Sequence, residues 1–345
     1  MTKGYNTYRG RGSGKRIAAV IALVLVIVGA VGYLVVQNYI VYDDAGQSHL
    51  ELPQRQKPQK KTQPDLADED VTIEYVEPPE KWLPVQELHA VQLLDGMLKV
   101  DPKAILQSGN EAMVINMKRI NGSIPYATEA DVPTQVEVER LAETRANLKT
   151  LLADDSYAVA HLHSLCDSYF VRAYPEASHL IADGTYWYDG DGWTWLDPTN
   201  PNVLGYITAL CKEYAALGFD EILLDSFAYP TSGWTKSMVI DPNLDRVAIL
   251  QSFAESLRKS LPADMVLSVM IRGEVTPETG LSAEMIADCF DRVYLAPGVD
   301  AAALLAALPE EFDRDTRVVQ MGYQAAEKGS YVLLMQPAAT EETEE

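Results

Sequence analysis

The chain is poor in the residues that several function classes require. Three cysteines stand among 345 residues, Cys166, Cys211 and Cys289, with no CxxC pair, so neither a disulfide scaffold nor a cysteine zinc site is indicated. The odd number implies at least one free, buried thiol. Cations are scarce: 28 Lys and Arg face 50 Asp and Glu, a net charge of -22. Binding to phosphate backbones rests on neutralisation by Lys and Arg, so nucleic acid is not an expected partner. No Gly-x-Gly-x-x-Gly turn follows an early strand pattern, which removes support for a nucleotide fold. Ser226 lacks a surrounding Gly-x-Ser-x-Gly elbow, the usual sequence mark of a serine hydrolase.

What is present is unevenly distributed. Residues 1–16 carry five cations (Lys3, Arg9, Arg11, Lys15 and Arg16) and no acid. Residues 17–36 then carry no charge at all and are filled by Ile, Val, Leu and Ala, with Gly29 and Gly32 as interruptions. About 20 apolar residues suffice to cross the hydrocarbon core as a helix. A cleaved signal peptide has a shorter apolar region and a small-residue cleavage site, and Tyr33–Tyr42 offers no convincing one. The expectation is therefore an uncleaved signal-anchor with a cytoplasmic N-terminus and an extracytoplasmic remainder, because the cations lie on one flank and Asp43 and Asp44 on the other. Residues 43–84, with low apolar content, Pro78-Pro79 and mixed charge, predict a disordered linker. The acidic tail at 338–345 reads as a solvated end.

Residues 85–337 predict a single domain. Short β-rich apolar runs recur at Leu88–Leu94, Ala112–Lys118, Tyr157–His163, Phe219–Asp225, Met265–Ile271, Phe290–Ala296, Thr316–Gly322 and Tyr331–Met335. Several are continuous rather than alternating, as strands buried on both faces require. Helical periodicity fills Val136–Leu152, Val203–Leu217, Arg246–Leu261 and Ala301–Leu308. Eight strands alternating with helices in about 250 residues predict an α/β class (β/α)₈ TIM barrel. Only a short segment around Gln324–Gly329 separates the last two strands, so an irregular closure is expected there.

In such a barrel the working face lies where the strands end, and residues that open a strand are structural. Asp220 and Glu221 open the fourth run and Asp225 closes it, which makes Asp225 the first catalytic candidate, with backbone capping as the alternative role. Glu274, just past the fifth run and next to Arg272, is the candidate second carboxyl of a glycosidase pair. Between Cys166 and Pro198 stand Tyr169, Trp187, Trp193 and Trp195 with Asp167, Asp189, Asp191 and Asp197, a composition that suits either a sugar groove or a self-packed lid. His161 and His163 alternate on one strand and resemble a metal pair, yet no third ligand stands at a recognisable spacing, so no metal and no cofactor is expected.

The segment from Gly218 to Asp225, with Tyr229-Pro230 after it and Trp195-Leu196-Asp197-Pro198 before it, resembles the bacterial putative glycosyl hydrolase domain family, barrels distantly similar to α-amylase-type glycosidases. Further likeness lies in Val114–Lys118, Asp167 and Ala173-Tyr174-Pro175-Glu176. The resemblance implies a barrel, a polysaccharide or oligosaccharide substrate and Asp225 as nucleophile. The candidate substrate contacts are Asn116, Lys118, His161, His163, Asp167, Trp195, Asp197, Tyr229 and Arg272. The chain departs from the family pattern at Asn116, His161, Cys166 and Met270, where the family carries Asp, Arg, Lys and Asp. Two readings follow: a glycoside hydrolase, or a catalytically degenerate barrel that binds glycans or serves as an envelope scaffold.

Overall fold

The computed structural model describes residues 40–42, 48–50, 86–94, 96–106 and 112–335. The expected flank, membrane span and tail lie outside them, as does the linker apart from 48–50, which pairs antiparallel with 40–42. Among the described residues no helix is long and apolar enough to cross a membrane.

Eight parallel strands close into a barrel: β1 (His89–Gln92), β2 (Ala112–Lys118), β3 (Tyr157–His163), β4 (Glu221–Asp225), β5 (Val266–Ile271), β6 (Arg292–Leu295), β7 (Val318–Gly322) and β8 (Tyr331–Leu334). Each arises within one of the eight apolar runs. The helices that cover them are α1 (Pro102–Leu106), α2 (Ala142–Leu152), α3 (Pro201–Leu217), α4 (Arg246–Lys259), α5 (Ala283–Cys289) and α6 (Ala302–Ala307). No helix separates β7 from β8, the irregular closure that the short intervening segment implies. Helix α2 starts six residues later than its periodicity suggests, because Val138 pairs with Ile124 and the amides of Ile124 and Glu139 are spent across that bridge.

Local chemistry sets the ends of the longest helices. Asn200 caps α3 by accepting from the Asn202 amide at 2.9 Å, Pro201 fills its first position, and Gly218 ends it in the left-handed conformation that glycine adopts freely. Asp245 caps α4 and Ser282 caps α5 in the same way. Along α3, Val203, Ile207, Leu210 and Tyr214 recur at three-and-four spacing and lie fully buried against the barrel's outer wall.

Period-two alternation splits the core in two. Outward residues such as Leu267, Val269 and Ile271 join the helices, whereas Ala90, Val114, Val159, Leu223, Met270, Tyr294, Val319 and Val332 form a separate cluster inside the barrel. Below that apolar layer, at the strand beginnings, Glu221 is fully buried and receives Tyr157 Oη at 2.9 Å, Ser268 Oγ at 2.6 Å and Tyr294 Oη at 2.8 Å, together with an ion pair from Arg292. Every lone-pair direction of the carboxylate is used, which is what a buried charge demands. The barrel is sealed where the Leu88 amide donates to Ser330 Oγ at 3.0 Å and the Tyr331 amide to the Leu88 carbonyl at 2.7 Å. All three cysteines are free and buried.

Candidate active site

A cavity of about 580 Å³ opens where the strands end. A larger one, about 760 Å³, lies at the opposite end beside Asp220 and Arg292 and holds none of the expected site residues. Chemistry in this architecture belongs to the strand ends, so the smaller cavity is the candidate site.

Beneath its lining residues Ser226 and Arg272 lies Asp225, the last residue of β4, which has no exposed surface. Arg272, just beyond β5, grips it with two parallel hydrogen bonds, Nε to Oδ1 and Nη2 to Oδ2, each 2.5 Å. His161 Nε2 lies 2.8 Å from Oδ2 and His163 Nε2 3.5 Å from it, while the Ser226 amide donates to Oδ1 at 2.6 Å. Burial alone pushes the carboxyl's pKa up. The positive charge His163 takes on in acid, with the hydrogen bonds from Arg272 and His161, outweighs it and holds Asp225 well below the usual carboxylate range. His163 goes the other way: burial brings it down to about 3, against the pull of Asp225, so the ring is neutral at physiological pH. Its Nδ1 lies 2.9 Å from Ser226 Oγ. Ser226 is the one non-glycine among the described residues with positive φ, at 54°, so the chain turns sharply as it leaves β4.

The segment after β3 forms the cavity's wall. It is a folded meander, with antiparallel bridges Cys166–Trp195, Ser178–Leu196 and Tyr188–Thr194. Asp189 organises its tip: Oδ1 accepts from the Asp191 and Trp193 amides, and Oδ2 from Trp195 Nε1 at 2.8 Å. Trp193 and Trp195 thereby face the cavity as a fixed aromatic wall. The meander is braced against the loop after β4, where Trp187 Nε1 donates to the Trp234 carbonyl at 2.9 Å. Gly233, at φ +82°, lies so near Gly190 that a Cβ would meet its amide nitrogen at 2.9 Å.

The expected residues thus separate into groups. Asp225, His161, His163 and Arg272 meet directly, and Glu274, Trp195 and Tyr229 line the same cavity. Glu274 is exposed on the rim and makes no hydrogen bond or ion pair with the described residues. Tyr229 is buried, with Arg246 over its ring at 5.0 Å. Lys118 and Asp167 pair at 3.0 Å with no exposed surface, and Lys118 also donates to the carbonyls of His163 and Cys166. Asp167 further accepts from Tyr206 Oη and from the Tyr169 and Phe170 amides, which fixes the start of the meander. Asp197 turns its carboxylate to Thr199 rather than to the cavity. Asn116 stands opposite His161 in strand register and lines a separate small pocket with Leu93 and Pro125.

Ser226, which lacks a glycine elbow in the sequence, meets His163, a partner 63 residues away. Sequence reasoning gave Asp189 no specific role; the Asp-Gly-Asp-Gly turn at 189–192 was the available signal. His161, His163 and Asp225 are the one group among the described residues whose ligand atoms all lie within 4.8 Å of one another, as sharing a metal ion requires. Arg272 already bonds to both oxygens of Asp225, so that carboxylate's charge is paired with a guanidinium.

A model of the putative glycosyl hydrolase domain family matches residues 87–328. The chain belongs to this family. Among solved structures, this family member is similar to a hypothetical protein from Ruminiclostridium thermocellum, at 24% identity over 52% of this chain and 96% of that one, with a TM-score of 0.44. An α-galactosidase from Thermus thermophilus is 12% identical over 62% of this chain and 42% of its own, at a TM-score of 0.42. An α-galactosidase from Geobacillus stearothermophilus is 10% identical over 74% and 40%, at 0.47. The chain spans less than half the length of these two galactosidases. No curated protein matches it.

Proposed function

We propose that this glycosyl hydrolase family member cleaves a polysaccharide by paired-carboxylate hydrolysis, anchored in the cell membrane by residues 17–36 with the barrel on the extracytoplasmic side. The observation that carries this reading is Asp225, an ionised carboxylate at a strand end beneath a cavity walled by two fixed tryptophans. Asp225 serves as nucleophile or as stabiliser of the developing positive charge on the sugar ring, and Glu274, exposed at the cavity rim, serves as general acid. Arg272, whose side chain is 51% exposed, must yield an oxygen of Asp225 for direct attack. Residues 1–16 supply the cations that keep the N-terminus cytoplasmic.

A second reading draws on the same carboxylate. Asp225 has no exposed surface and both oxygens are taken, as in a barrel that binds glycans without cleaving them. Incubating the full-length chain, in detergent micelles, with a panel of polysaccharides separates the two. Hydrolysis releases reducing ends, and Asp225→Asn lowers the release at least a hundredfold. Unchanged release in that variant removes the assignment, and binding without release favours the second reading. The anchor is tested by carbonate extraction: the chain stays with the membrane pellet, and a version lacking residues 17–36 does not.

A further inference from the structure

We propose that the same cavity carries a second activity, the hydrolysis of carboxylic esters by Ser226, with O-acyl groups on a glycan as the substrate class. The glycan rests on the glycosidase reading above; the serine chemistry does not, because it uses a different nucleophile.

Two groups stand as nucleophilic hydrolysis requires, with a carboxylate beside them. Ser226 Oγ lies 2.9 Å from His163 Nδ1, inside the reach of a nucleophile–base hydrogen bond. Asp225 lies against both members of the pair: its Oδ2 is 3.5 Å from His163 Nε2, and its Oδ1 accepts from Ser226 Oγ at 3.4 Å. The carboxylate therefore flanks a serine–histidine dyad rather than standing in line behind the ring, and it acts on the imidazole as a nearby negative charge. Ser226 and His163 both line the cavity. Ser226 also sits at φ 54°, on the step from strand to loop, in the left-handed region that non-glycine residues seldom adopt. A sharp strand-end turn of this kind is how α/β hydrolases lift a serine off the sheet, there with flanking glycines. Here Asp225 and Phe227 flank the serine, which is why no sequence elbow marks it.

The residues after the serine complete the arrangement. The amides of Phe227 and Ala228 make no hydrogen bond among the described residues, and the chain engages its backbone again at Tyr229, which donates to the Thr279 carbonyl. The amide following a hydrolase nucleophile is the customary oxyanion donor.

The reaction balances with water as the only co-reactant. Ser226 Oγ bonds to the ester carbonyl carbon while its proton passes to His163 Nδ1, and the carbonyl oxygen becomes an oxyanion. Collapse breaks the bond to the sugar oxygen, which leaves with the proton from Nδ1, and an acyl-serine remains. Water then attacks that carbonyl, giving its proton to Nδ1; the bond to Ser226 breaks, the serine regains the proton and the carboxylic acid departs. Asp225 stabilises the imidazolium formed at each stage.

The test uses the full-length chain in detergent micelles, a fluorophosphonate probe and p-nitrophenyl acetate. The expected result is a single phosphonyl adduct on the peptide containing Ser226, together with p-nitrophenol release. Ser226→Gly removes the hydroxyl at a backbone angle glycine adopts readily, so the variant keeps its fold, and it should lose the adduct and at least a hundredfold of the release. An unlabelled wild-type chain, an adduct elsewhere, or release equal to wild type in Ser226→Gly overturns the proposal. Reducing-end release from polysaccharide is read on the same wild-type sample. Labelled Ser226 without glycan cleavage refutes the glycosidase reading alone, and cleavage without labelling refutes the esterase alone.

Discussion

Arg272→Met isolates what holds the centre of the site. The substitution keeps an unbranched side chain but removes the two 2.5 Å bonds to Asp225, leaving that carboxylate His161 Nε2 at 2.8 Å, the Ser226 amide at 2.6 Å, the Ser226 hydroxyl at 3.4 Å and His163 Nε2 at 3.5 Å. Removing one partner of a buried pair costs about 3–5 kcal/mol, whereas a fully exposed pair contributes about 1 kcal/mol or less. Asp225 is buried but the Arg272 side chain is 51% exposed, so water replaces part of what is lost, and about 2 kcal/mol at pH 7 is the expected destabilisation. In a domain of this size that corresponds to a fall of roughly 4–8 °C in Tm. The pH dependence is more diagnostic. Asp225 is held below its unfolded value, so its contribution is present above about pH 4 and drains away as acid approaches the native value. Without Arg272 the depression is smaller, and less is left to drain. The gap between wild type and variant therefore narrows between pH 5 and pH 3. Urea titrations followed by tryptophan fluorescence at pH 7, 5 and 3.5 measure it. Equal midpoints at pH 7, or a gap that stays constant through pH 3.5, would refute the reasoning.

Two further outcomes are expected. Arg292→Met strands the fully buried Glu221 and should cost about 3–5 kcal/mol in urea titrations, and adding Glu221→Gln should recover most of that, because a neutral amide is far cheaper to bury than a lone carboxylate. Trp195→Ala should weaken binding of a polysaccharide substrate about tenfold by calorimetry, the loss of roughly 1.4 kcal/mol of ring contact, while Trp195→Phe retains most of it; unchanged affinity in the alanine variant would remove the aromatic wall from the binding site.

The barrel was legible because its signal is local. Each buried strand declares itself as an apolar run bounded by turns, and Glu221 and Asp225, four residues apart on one strand, sort into floor and mouth by position alone. What escaped is the pairing of side chains across strands. A β-bulge between Asn116 and Lys118 shifts the register against β3, and Lys118 ends beside the fully buried Asp167 rather than in the cavity. Arg272 and Asp225 are 47 residues apart, and nothing in either neighbourhood announces the other. Ser226 was set aside for want of a glycine motif, although the conformation that the motif serves is present without it.

The seal between Leu88 and Ser330 has a bearing on how the molecule comes into being. Those partners are 242 residues apart, so β1 has no neighbour on its outer side until the last strand of the barrel is in place. During synthesis the growing sheet carries two open edges, rows of unpaired amides and carbonyls able to pair with another chain, for most of the time the domain takes to emerge. Closure depends on contacts of very high sequence separation, which makes it a slow event, and a chain ended just before Ser330 would hold nearly every strand yet present an unclosed curved sheet. The four-residue strand at Tyr331–Leu334 is therefore small in area and large in timing: it converts an aggregation-prone intermediate into a barrel without edges.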